Sequence, residues 1–154
     1  MKIDKNKIQI IKFFKFDEDK AKEYILAQDY SSSKNYVASI EENKLSGYEE
    51  SFLIVYEEQL IGFFQIKKDD GLVDKNFEPW LCRLFVDENY RGNRITELVS
   101  EFSLNYCVDF GFDKIYLSTT HKGLYEKFGW KKIGSGVSMS GIERDIFEYS
   151  KNRN

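Results

Sequence analysis

The chain has one proline (Pro79), one histidine (His121) and two cysteines. No apolar run in it approaches the ~20 residues of a membrane span. Each scarcity excludes something. Two cysteines cannot build a disulfide framework, and with a single histidine they make no convincing zinc site. Cys82 and Cys107 are therefore expected as small buried side chains, and no metal is expected. The formal net charge of −3 gives no long-range pull toward nucleic acid, and no continuous basic stripe is present. The opening MKIDKNKIQI lacks a hydrophobic signal core, so the expected location is cytoplasmic, with neither nucleic acid nor membrane as a partner.

What is present is material for a core. Hydrophobic residues make up 42% of the chain and aromatics 16%. A chain of 154 residues is expected to form one domain over 1–154. Residues 8–14 (IQIIKFF) predict a first strand. DEDKAKEYILAQ, led by acids, predicts a helix, and SSSKNYVASIEENK a weaker one behind a serine cap. SFLIVYEEQLIGFFQIKK is two apolar runs split by Glu57, Glu58 and Gln59, the pattern of a hairpin. DDGLVDKNFEP reads as a loop, and WLCRLFV as a central strand buried on both faces.

Between Tyr90 and Val99 that strand gives way to RGNR and then to helical spacing: Ile95, Leu98, Val99, Phe102, Tyr106 and Phe110 recur, with Glu97, Ser100, Glu101, Asn105 and Asp109 on the other side. Gly111 is placed to end the helix. KIYLS follows as a strand, so strand, helix and strand read as a right-handed crossover. HKGLYEKFGW predicts a short helix ending at Gly129, and KKIGSGVSMSGIERDIFEYS a closing hairpin. The whole is a mixed α/β fold. Basic residues beside a glycine ordinarily form a solvated turn. A strand, a tight glycine turn and a helix N-terminus can also cradle an anion on backbone N–H groups. The stretch has neither GxGxxG nor GxxxxGK[ST].

The order of parts after the cradle resembles the GNAT superfamily of N-acetyltransferases, which bind acetyl-coenzyme A. The family signature Q/R-x-x-G-x-G/A falls on Arg91, Gly92, Asn93, Arg94, Ile95 and Thr96. A second hallmark, L-Y-E-K-x-G-F/W/Y, is Leu124, Tyr125, Glu126, Lys127, Phe128, Gly129 and Trp130. This chain departs from the signature at two positions, with Arg94 at the first glycine and Thr96 at the final Gly/Ala. The resemblance implies a single domain with a central mixed, mostly antiparallel sheet of about six to seven strands. Helices would flank that sheet, and it would splay between its fourth and fifth strands.

For function, the resemblance implies acetyl transfer from acetyl-CoA to a primary amine of a small molecule or peptide, by direct attack in a ternary complex. The pyrophosphate would meet the N–H groups of residues 92–97, with Arg91, Gly92, Asn93, Arg94, Ile95, Thr96 and Glu97 around it. The pantetheine arm would pair like an extra strand with Leu84, Phe85 and Val86. Lys127 and Tyr125 would complete the coenzyme contacts. Tyr125 matches the family's general acid toward the leaving thiolate. The general base would be His121, Glu78 or a water relay. The acceptor would lie against residues 20–50 and 135–145. There Glu41, Glu42, Glu49 and Glu50 would suit a cationic amine or simply form a solvated face. The molecule would be a monomer or homodimer. A non-catalytic acyl-CoA sensor, or a degenerate member of the family, is the alternative.

Overall fold

A computed structural model describes residues 2–151. Seven strands form one sheet in the order β1-β2-β3-β4-β5-β7-β6. They are β1 Ile8–Lys12, β2 Glu50–Tyr56, β3 Gln59–Lys67, β4 Trp80–Val86, β5 Lys114–Thr119, β6 Lys131–Val137 and β7 Glu143–Ser150. Three α-helices accompany them: α1 Glu18–Ala27, α2 Ser33–Glu41 and α3 Ile95–Val108. The registered pairs β1–β2, β5–β7 and β6–β7 are antiparallel. β4 runs parallel to β5, in register at Trp80 and Tyr116, a splayed junction as expected. Cys82 and Cys107 are buried and are not joined in a disulfide.

The chain divides into two compact units, residues 2–65 with 83–95 and residues 66–82 with 96–151. In the first, Asp17 caps α1 by accepting the Lys20 N–H at 3.1 Å, as the acidic start of that segment predicts. Ser32 occupies the corresponding position before α2, but its side chain makes no capping bond. The core gathers Phe13, Ile25, Tyr36, Leu53, Phe63 and Phe85. Tyr36 satisfies its buried hydroxyl by donating to the Phe52 carbonyl at 2.8 Å. The β2–β3 turn is made by Glu57 and Glu58, at φ +49° and +68°. This is the doubly left-handed turn whose twist suits a hairpin.

In the second unit, Leu72, Trp80 and Ile146 form a core cluster with Phe77 and Tyr116 against it. The loop before β4 is pinned by a bridge between Leu72 and Ser138. Here α3 departs from expectation. Ile95 and Val99 are buried as expected, but so are Ser100, Ser103, Leu104 and Cys107, while Phe110 is 51% exposed beyond the helix end. The buried stripe is therefore rotated from the one that bulky apolar residues mark. Small serines allow close approach, and Ser100 Oγ satisfies itself on the Thr96 carbonyl at 2.7 Å and accepts the Trp130 indole N–H at 2.8 Å. The helix expected from HKGLYEKFGW is only a 3-10 turn, Glu126–Phe128, closed by Gly129 at φ +96°.

Candidate functional site

The first unit carries the cradle. Asp87 follows β4 and caps a 3-10 turn, Glu88–Tyr90, by accepting the Asn89 N–H at 3.0 Å. Gly92 then takes φ +86° and Arg94 φ +58° before α3 begins at Ile95. Arg94 holds the first signature-glycine position and adopts the left-handed backbone that glycine enters without a Cβ penalty. A Cβ built on Gly92 meets nothing within 4 Å, so the surface beside it is open. Asn93 closes the turn by donating Nδ2 to the Tyr90 carbonyl at 2.9 Å. Arg91 and Arg94 stand exposed, and the chain continues from Arg94 into the N-terminus of α3, where a helix leaves its first N–H groups without intrahelical acceptors. This arrangement suits a phosphate: exposed basic side chains, a helix N-terminus and a turn with room for close approach.

Of the strand residues, Phe85 is buried, and Leu84 and Val86 are half-buried. The Asp87 N–H donates to the Ile61 carbonyl of β3 at 2.7 Å. The Phe85 carbonyl lies against Gly62 of β3, only 2.4 Å from where a Cβ would stand there. Alternation along the strand turns Leu84 and Val86 toward the opposite edge. Arg91 Nε donates to the Val86 carbonyl at 2.8 Å, with its guanidinium 5.6 Å from the Phe85 ring centre. The structure thus brings Phe85, Val86 and Arg91 together.

Tyr125, Thr96, Glu97 and Lys127 belong to the second unit. The Tyr125 ring lies 6.1 Å from Trp130 and 6.2 Å from Phe147. Burial pushes its phenol up to about 12, against a smaller opposing pull from the Arg144 charge. Arg144 is itself held by Ser118 of β5: Nε donates to Oγ and Nη2 to the carbonyl, both at 2.9 Å. Ser118 Oγ donates to Asp70 Oδ2 at 2.6 Å. Lys127 is exposed, 5.2 Å from the Phe128 ring centre, and Thr96 and Glu97 are half-buried in the first turn of α3.

The candidate bases also lie in this unit. His121 is exposed, its backbone N–H donating to Thr119 Oγ1 at 3.0 Å. Glu78 is half-buried ahead of β4. On the acceptor side expected of residues 20–50, Glu41 pairs with Lys22 at 3.3 Å, Glu42 with Lys44 at 3.5 Å and Glu50 with Lys12 at 4.0 Å. Those acids behave as a solvated, lysine-paired face. A cavity of about 350 Å³, with Phe13, Ser39, Glu49 and Ser51 in its walls, includes none of the residues expected to hold coenzyme A.

Sequence reasoning missed two groups. Arg144, Ser118 and Asp70 are brought together from β7, β5 and the loop after β3, with no local motif. Arg83, inside β4, takes φ +53° and reaches Gln65 of β3. A positive charge in the middle of an otherwise apolar strand was the available signal.

Comparison with known proteins bears on the family and the fold. The model of the acetyltransferase (GNAT) family matches residues 11–130. A search of curated proteins finds no significant match. Among solved structures, an aminoglycoside 6′-N-acetyltransferase complexed with coenzyme A is 18% identical, with a TM-score of 0.66, covering 92% of this chain and 96% of that one. The spermidine N-acetyltransferase of Vibrio cholerae, solved with coenzyme A and spermine, is 12% identical with a TM-score of 0.66 over 96% and 98%. A Salmonella typhimurium acetyltransferase that modifies the N-terminal serine of a ribosomal subunit protein is 11% identical with a TM-score of 0.69 over 95% and 96%. With the family model spanning most of the chain, this protein belongs to the GNAT family of acetyltransferases.

Proposed function

We propose that residues 1–154 act as one N-acetyltransferase domain that moves an acetyl group from acetyl-CoA directly to a primary amine. The observation that carries this reading is the cradle: Gly92 and Arg94 in left-handed conformations, leading into α3, with Arg91 fastened to the end of β4. Solved relatives holding coenzyme A on the same fold support it. Acetyl-CoA supplies an activated thioester. The N–H groups of residues 92–97, with Arg91 and Arg94, bind its pyrophosphate. The extra-strand pairing expected of Leu84, Phe85 and Val86 narrows to Leu84 and Val86, because Phe85 faces β3.

Tyr125 is the proposed acid toward the departing sulfur. Among the described residues its hydroxyl has no hydrogen-bond partner, so it is available as a donor. With the phenol near 12 and a free thiol near 8.5, full proton transfer is uphill by roughly 5 kcal/mol. Tyr125 therefore stabilises developing charge by a hydrogen bond rather than by giving up its proton. His121, Glu78 or a relayed water takes a proton from the acceptor's ammonium, freeing the amine lone pair that attacks the thioester carbonyl.

The test is calorimetric titration with coenzyme A, followed by thiol release from acetyl-CoA in the presence of amines. Saturable binding with amine-dependent release supports the reading. Binding without release under any amine marks a sensor, and no binding at millimolar coenzyme A contradicts the site itself.

A further inference from the structure

Arg83 sits within the central strand β4 at φ +53°, a backbone region that residues with a Cβ rarely occupy. Such outliers persist where neighbouring contacts over-determine them, and they gather at binding sites. The contacts at Arg83 can be followed atom by atom within the first unit. Its Nη1 donates to Gln65 Oε1 at 2.7 Å and to the Asn35 carbonyl at 3.4 Å. Gln65 is wholly buried, and its Nε2 donates to Ser39 Oγ at 2.7 Å and Ser51 Oγ at 2.9 Å. Ser39 spends its own proton on the Tyr36 carbonyl at 2.6 Å, so it can only accept from Gln65. The amide of Gln65 is thereby fixed, with its oxygen toward the arginine.

A guanidinium has five N–H donors, and Nη1 accounts for two. Three remain, of which Nε–H and one Nη2–H form a parallel edge, the fork that matches a carboxylate. Among the described residues no carboxylate pairs with Arg83, whose recorded partners are the neutral Gln65 and Asn35. A half-buried cation held by neutral groups carries a desolvation cost that an anionic ligand would offset. Two acids of the same unit pair with lysines instead, Glu41 with Lys22 and Glu50 with Lys12.

We propose that Arg83 receives a carboxylate of the acceptor, so that the amine acetylated belongs to a molecule of amino-acid type. Gln65 is a positioning residue that aims the fork. This inference rests on the transferase reading and names its substrate class.

The experiment compares matched acceptors: alanine with ethylamine, lysine with 1,5-diaminopentane, and phenylalanine with phenethylamine and phenylalaninamide. Phosphoethanolamine serves as the phosphate-bearing control. Thiol release from acetyl-CoA gives kcat/KM for each. Two charge-assisted hydrogen bonds should favour the carboxylate acceptors on the order of 10²-fold. Arg83→Gln should bring that preference close to one, with coenzyme A affinity and the circular dichroism spectrum retained. Arg83→Lys, keeping charge without the fork, should retain part of it and serves if the glutamine variant does not fold. Equal rates for carboxylate and decarboxylated acceptors in the wild type would overturn the proposal, as would a preference for phosphoethanolamine. Melting temperature in the presence of coenzyme A and each acceptor separates the two levels. Carboxylate-dependent stabilisation that Arg83→Gln abolishes, without any transfer, keeps the anion site and removes the transferase reading. No carboxylate-dependent stabilisation and no preference overturns the site.

Discussion

Arg91 donates its Nε–H to the carbonyl of Val86 at 2.8 Å, tying the first residue of the family signature to the last residue of β4. The cradle and the strand edge proposed for the pantetheine arm are thereby held as one piece of the first unit. Arg91→Ala should loosen both, raising the Kd for coenzyme A about tenfold or more through one lost phosphate donor and a less ordered turn. Calorimetry checks this. An unchanged Kd would mean that Arg91 serves only the turn.

Gly92 tests the cradle from the other direction. At φ +86° a valine is strained by about 1–2 kcal/mol, yet a Cβ there meets no atom of the protein within 4 Å. Gly92→Val should therefore fold, with a modestly lower melting temperature. Its loss of coenzyme A affinity should exceed what that strain explains, because the side chain stands where the pyrophosphate is proposed to approach. Retained affinity would move the anion site elsewhere.

The Ser100–Trp130 bond, 2.8 Å long and buried, should be structural. Ser100→Ala leaves the indole N–H without its acceptor and should lower stability by about 1–3 kcal/mol. Urea denaturation measures it. A change under about 0.5 kcal/mol would show that the indole finds another partner.

Alkali should destabilise the fold. Burial raises the phenols of Tyr36, Tyr24 and Tyr116, and it lifts the Tyr125 phenol and the Cys107 thiol each to about 12. In the unfolded chain these groups lose protons near 10 for tyrosine and near 8.5 for cysteine. Above those values the native state holds more protons than the unfolded one, so stability falls as pH rises. The contribution is complete below about pH 8 and is lost progressively toward pH 12. Urea midpoints across that range should decline, and a flat profile would contradict the burial assigned to these side chains.

Much of this was legible because it is periodic or local. The β2–β3 hairpin shows in two apolar runs broken by polar residues, and the cradle in its arginines and glycine. The β2–β3 turn itself has no signal, since Glu57 and Glu58 take left-handed angles that asparagine or glycine ordinarily supply. The face of α3 was legible at Ile95 and Val99 but misjudged further along, because hydrophobicity marks bulk. Ser100 and Ser103 are buried for being small, and the Ser100 hydroxyl bonds back to the Thr96 carbonyl. A charge inside an apolar strand marks Arg83, but nothing local announces its partner Gln65. Their network joins Ser39 and Ser51 to Gln65 across 26 and 14 residues of sequence. The second hallmark placed Tyr125 by motif, but its environment depends on Arg144, Trp130 and Phe147, which only the fold assembles.

Tyr125 carries the central chemical claim, and Tyr125→Phe tests it most directly. Phenylalanine keeps the ring against Trp130 and Phe147 and removes only the donor. The measurement is kcat for acetyl transfer, beside the Kd for acetyl-CoA and the melting temperature. A donor that acts only as charge develops on sulfur predicts a fall in kcat of about 10²- to 10³-fold with affinity and stability nearly unchanged. A fall of less than about threefold while chemistry limits the rate, or a joint collapse of affinity and stability, would contradict the role given to Tyr125.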